Sequence, residues 1–120
     1  MLLDGRQVRR VIVTWLIEAD RALTVADLVE RLADARLWTT GRPGKVVSDS
    51  LRWEIGRGRV VRVRRGTYAV GRIPRSTAFR IRREGHALLR GHSPEGTGQV
   101  DELAALTAAA VAEFARRRSA

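Results

Sequence analysis

The chain has 120 residues, no cysteine, two histidines, 44% hydrophobic residues and a formal net charge of +10. That length and apolar content suit one folded domain with an appended helix, and the cysteine count excludes a disulfide framework or a thiolate metal site. No run of about 18 apolar residues is available to span a membrane, and the N-terminus lacks the basic-then-apolar order of a secretory signal, so a cytoplasmic protein with no cofactor and no membrane contact is expected.

Residues 5–19 carry Val8, Val11, Ile12, Trp15, Leu16 and Ala19 at i, i+3, i+4, i+7 spacing. This periodicity predicts an amphipathic helix, with Asp4 placed to cap its start and Trp15 in the core. A short link over 20–23 follows. Thr24 and Asp27 then have the spacing of a capping box. Val25, Leu28, Val29 and Leu32 form the stripe of a second helix over about 25–35, and Leu37 and Trp38 are expected to close the core behind it. TTGRPG (39–44) is a turn-rich break. A third helix is predicted from Pro43 or Gly44 to about Ile55, with Val47, Leu51 and Ile55 inward and Lys45, Ser48, Asp49 and Arg52 outward. Gly56 and Gly58 end it.

The stretch GRVVRVRRGTYAV (58–70) reads as a β-hairpin. Pairing Val63 with Tyr68 and Val61 with Val70 puts four apolar side chains on one side, with Arg62, Arg64, Thr67 and Ala69 on the other. The connection is either a tight turn at Arg65 and Gly66 or a four-residue loop, with Gly66 supplying positive φ. Such a ribbon has a basic tip. By itself it is equally an edge hairpin whose charges only keep it soluble.

Residues 75–90 are mixed. Ala78, Phe79, Arg82, Arg83, His86 and Leu89 share helical turns, but Gly85 weakens the pattern. GHSPEGTG (91–98) has the composition of a flexible linker. A helix is predicted over 100–117, with Leu103, Leu106, Ala110 and Phe114 on one side, either packed on the domain or making a homodimer. The expected division is 1–73 as the main domain, 74–98 as a basic segment and linker, and 99–120 as a C-terminal helix.

The excess charge is not spread evenly. Residues 1–40 are net zero, 41–90 are +11 and 91–120 are −1. Arginine makes up 22 of the 23 basic residues, which coding bias explains. Bias does not explain two neutral flanks around a basic centre, and a concentrated positive field attracts a polyanion.

Three short helices followed by a two-stranded ribbon make a winged helix-turn-helix, so the expected fold is mainly α with a small β-hairpin and an additional C-terminal helix. In that geometry the third helix enters the major groove of DNA and the wing lies on the backbone or minor groove. Residues 7–70 resemble the HARE-HTH family of winged helices, which includes the bacterial RNA polymerase delta subunit. The resemblance rests on VRRVIVTWLIEAD, LTVADLVERL and RVRRGTYAV, with Gly66, Thr67 and Tyr68 in the "GTY" wing pattern. The same ribbon is similar to the N-terminal winged helix of AbiEi-type antitoxins. The resemblance implies a bacterial nucleic-acid or polymerase-associated role.

The expected function is double-stranded DNA binding by a small regulator or nucleoid-associated protein. Lys45, Ser48 and Arg52 would face bases or groove walls. Arg42, Arg57, Arg59, Arg62, Arg64 and Arg65 would contact phosphates, with Arg72 and Arg75 extending the patch. The alternative is a winged helix that binds a protein such as RNA polymerase or a toxin. Few aromatic residues are available to stack on single-stranded RNA. No enzyme is expected: there is no cysteine nucleophile, Ser48 and Asp49 lack a positioned base, and Gly41, Gly44, Gly56 and Gly58 are not followed by the Lys-Ser/Thr of a phosphate loop.

Overall fold

Local capping fixes the first two helices. The structure, a computed structural model, describes residues 1–91. Helix α1 (Gly5–Ala19) starts at Asp4, whose carboxylate accepts from the Gln7 N–H while the Gln7 side chain accepts from the Asp4 N–H. Helix α2 (Val25–Asp34) repeats the device with Thr24 and Asp27. Each such cap stabilises its helix by about 1 kcal/mol. The Thr24 hydrogen bonds also hold the Asp27 carboxyl below its ordinary pKa. Helix α3 (Pro43–Gly56) opens with proline in its first turn, where no N–H is needed.

A two-residue parallel pair, β1 (Leu2–Leu3) with β3 (Trp38–Thr39), ties the start of the chain to the segment between α2 and α3. The second sheet is antiparallel, in the order β2-β5-β4, from β2 (Leu23–Thr24), β5 (Thr67–Val70) and β4 (Val60–Arg64). Leu23, expected in a link, thus lies opposite Tyr68 and is fully buried. The described residues form a mainly helical unit of four helices and this small three-stranded sheet, with Val8, Ile12, Leu16, Leu28, Leu32, Val47, Leu51 and Val60 at its centre.

The fourth helix, α4 (Arg75–Leu89), lies beyond the expected domain end at residue 73. It packs along α1 and buries Ile81 and Leu88. Gly85 is what permits the approach: a Cβ there would overlap Thr14 Oγ1 and sit 2.8 Å from Thr14 Cβ. The glycine that weakens a helical reading of the sequence is therefore a point of close helix contact. The packed unit runs through α4, and residues 92–98 of the expected linker lie outside the described residues. The stripe of Leu103, Leu106, Ala110 and Phe114 lies outside the described residues.

The hairpin register differs from the expected one. Val60 pairs with Val70, Val61 with Ala69 and Arg62 with Tyr68, and Val63 is an extra residue before Arg64 meets Thr67. Val61 and Val63 are 45% and 51% exposed rather than sealing the core. The reason lies at the base of the ribbon. The Gly71 N–H donates to the Arg59 carbonyl at 2.7 Å, and a Cβ on Gly71 would stand 2.5 Å from the Gly58 carbonyl oxygen. That glycine contact fixes the pairing, with Val60 buried beneath it, and side-chain alternation along β4 has no say. The bulge at Val63 takes up the extra residue. At the tip the tight turn at Arg65 and Gly66, one of the two expected connections, is the one present, with Gly66 at φ 73°.

Two smaller expectations also change. Trp38 is 49% exposed on β3, and only Leu37 closes the core there. The inner stripe of α3 is Val47, Ser50, Leu51 and Glu54, so Ile55 turns outward.

Candidate nucleic-acid interface

The outer side of α3 follows from its inner stripe. With Val47, Ser50, Leu51 and Glu54 inward, Lys45, Asp49 and Arg52 project to solvent and Ser48 sits half-buried at the margin. Lys45 Nζ donates to Asp49 Oδ2 at 2.9 Å, and Arg52 Nη1 lies 3.6 Å from Asp49 Oδ1. The Lys45 hydrogen bond chiefly holds the Asp49 carboxyl below its ordinary pKa. One carboxylate therefore stands, ionised at neutral pH, between the two cations of this face. Arg42, at the N-cap, is exposed and makes no side-chain cap.

Arg62, Arg64 and Arg65 are exposed and make no ion pair with any described residue. Arg62 and Arg64 belong to β4, an edge strand, and Arg65 forms the turn with Gly66. Arg72 is exposed in the link after β5, and Arg75 is exposed on the first turn of α4 rather than on the ribbon.

Arg59 has a different position. It is half-buried, with Nη1 3.3 Å from Oε2 of Glu54. Glu54 is 2% exposed, and its Oε1 lies 3.9 Å from Nε of Arg9 on α1. A buried carboxylate needs such partners, because desolvation would otherwise drive it to its neutral form. Beside it, Trp53 is 51% exposed, with the Arg9 guanidinium 4.6 Å and the Arg57 guanidinium 5.5 Å from its ring centroid. Arg6, Arg9, Arg10, Arg57 and Arg59 line the shallow cavity of about 250 Å³ around this pair. Burial lowers the pKa of Arg10, which Glu84 at 2.6 Å opposes and Arg59 and Arg6 reinforce.

Glu54 therefore joins three elements: α3 through its backbone, α1 through Arg9, and the start of the ribbon through Arg59. The ribbon's base is also tied to α3 by the Arg59 N–H, which donates to the Glu54 carbonyl at 3.0 Å. The outer face of α3 and the ribbon are thus held in a fixed relation. Sequence reasoning missed Glu54. Its signal was a charged residue in the i+7 position of the inner stripe that starts at Val47, with an arginine five residues later.

No group of three or more His, Cys, Asp or Glu able to hold a metal ion occurs among the described residues, and no described helix is long and apolar enough to cross a membrane. No family model, curated protein or solved structure matches the chain. What stands is a mainly helical domain whose third helix and hairpin present arginines to solvent.

Proposed function

We propose that the chain is a winged helix-turn-helix protein that binds double-stranded DNA, with α3 in the major groove and the β4–β5 ribbon as its wing, in a small regulator or nucleoid-associated role. The element order supports this reading, since a short strand between the first two helices joins the ribbon as its third strand. The resemblance at Gly66, Thr67 and Tyr68 adds to it. The observation that carries it is the charge on the ribbon and on the links that flank it, since α3 itself (Pro43–Gly56) is net zero. Residues 41–74 are net +7, and Arg62, Arg64 and Arg65 are exposed with no carboxylate partner among the described residues. Phosphates are the complementary partner, and each contact releases counterions from the duplex. Asp49 tempers the α3 face, and a carboxylate in the groove can accept only from a base such as cytosine.

Fluorescence anisotropy on a random 25-base-pair duplex across a salt series tests the reading. Affinity is expected to fall steeply with salt, and Arg62→Ala/Arg64→Ala/Arg65→Ala to flatten the log–log slope by about 0.9 per lost phosphate contact. Asp49→Asn is expected to tighten binding to the random duplex. Absence of binding at low salt overturns the proposal.

That last result favours a second reading, a protein-binding module. The exposed Trp38 supports it, beside a groove of about 440 Å³ lined by Val29, Leu32, Ala33 and Leu37.

A further inference from the structure

The basic excess has a second part. Of the +11 in residues 41–90, +4 falls in residues 75–90, on and just after α4. A duplex held by α3 and the ribbon leaves this charge unused.

The ion pairs of α4 all run to α1, His86 reaching it from within the arc that Arg75 and Phe79 bound. Glu84, its sole carboxylate, lies 2.6 Å from Arg10 on α1. Arg82 and His86 both reach Glu18 of α1, at 3.3 and 2.8 Å. What remains outward is Arg75, Phe79, Arg83 and Arg90, within about 80° of one another around the helix, with Arg80 alongside. All are exposed, Phe79 at 64%. None of these arginines has an ion pair with a described residue.

This stripe faces away from α3. Arg9 of α1 meets Glu54 and Trp53 of α3, whereas Thr14 and Glu18 meet α4. At 100° per residue, Thr14 stands about 140° and Glu18 about 180° round α1 from Arg9. The two helices thus occupy broadly opposite flanks of α1, and each turns its outer face away from it. From Arg75 to Arg90 the helix rises about 22 Å. That is too long for one small anion and suits a run of phosphates, which recur about every 3.4 Å of duplex axis on each strand. A single phenylalanine among arginines makes no apolar face for a bilayer.

We propose that α4 carries a second duplex-binding face, so that one chain holds two DNA segments at once. This rests on the DNA-binding reading. The occupant is a second duplex, recognised through its phosphates, with Phe79 against the sugar edge or a base step.

The test pairs two measurements on the full chain. One is capture of a labelled 25-base-pair duplex by a bead-bound duplex; the other is anisotropy on a single duplex. The variant is Arg80→Ala/Arg83→Ala/Arg90→Ala, which removes only exposed side chains and leaves Arg75 beside the ribbon's patch intact, and the matching Arg→Lys set keeps the charge. The proposal expects capture by the parent, loss of capture in the Ala set with single-duplex affinity within about threefold of the parent, and recovery in the Lys set. A parent that binds one duplex without capturing another overturns the inference and leaves the DNA reading standing. Capture by the Ala set at the parent's level also overturns it, because a second copy of the chain would then be the bridge. A parent that binds no duplex at low salt ends both.

Discussion

Helix α1 holds its two neighbours by different physics. Toward α3 the contact centres on charge: Glu54, buried, is shared by Arg9 and Arg59, with Trp53 stacked beside them. Toward α4 a glycine contact comes first, beside a largely buried Arg10–Glu84 ion pair at 2.6 Å: Gly85 lies against Thr14, the Thr14 hydroxyl donates to the Arg10 carbonyl at 2.7 Å and sits 3.2 Å from that of Ile81, and the more exposed pairs of Glu18 with Arg82 and His86 close the rim. A shape contact fails by overfilling and a charge contact by losing one partner. The first loses dispersion contacts as the helices part; the second leaves an uncompensated ion.

Substitutions separate the two modes. The largest effect is expected from Gly85→Val, whose side chain has to displace Thr14. It should cost about 3 kcal/mol or more, read as a drop in urea midpoint, and Thr14→Ala should restore only part of it because the Thr14 Cβ is also too close. Glu54→Ala comes next. It strands Arg9 and Arg59, but these are partly solvated, so about 2 kcal/mol is expected rather than the full penalty of a broken buried pair. Its signature is specific: Glu54→Ala should also weaken duplex binding by loosening the ribbon against α3, whereas Gly85→Val measured below its unfolding midpoint should not. Thr14→Val keeps the shape and removes the hydroxyl, for about 1 kcal/mol. The smallest effect is expected from Arg82→Ala, at under about 1 kcal/mol, since that pair is half in water. If Arg82→Ala costs more than Thr14→Val in chemical denaturation, the rim and not the glycine contact holds α4.

The sequence carried the features that act over short range. Asp4 with Gln7 and Thr24 with Asp27 are caps spanning three residues, and the stripes of α1 and α2 need only their own periodicity. What escaped depends on partners far along the chain. The hydroxyl that meets Ile81 belongs to Thr14, 67 residues away, and until α1 is known to lie there, Gly85 reads as a helix weakener. The two residues of β2 are too few to show an alternation, and they become a strand only because β5 offers an edge. The ribbon register escapes the sequence because alternation implies burial along all of β4, whereas only Val60 of that strand is buried. Among the residues expected to meet DNA, Lys45, Arg52, Arg62, Arg64 and Arg65 could be placed on exposed surfaces from pattern alone. Arg59 could not, because its partner Glu54 looks in sequence like another solvated charge.

The unpaired side of β4 has a consequence for solubility. A strand with a free edge and valines at 60, 61 and 63 is a template on which another chain can add its own strand. Here the extra residue at Val63 breaks the flat hydrogen-bonding row, and Arg62 and Arg64 make like charges meet when two such edges approach. The same guanidinium groups that suit a phosphate backbone thus keep the molecules apart while no nucleic acid is present. Neutralising them removes that repulsion and leaves valines alternating with small residues along an open edge, so a variant made to weaken DNA binding also becomes one that self-associates as its concentration rises.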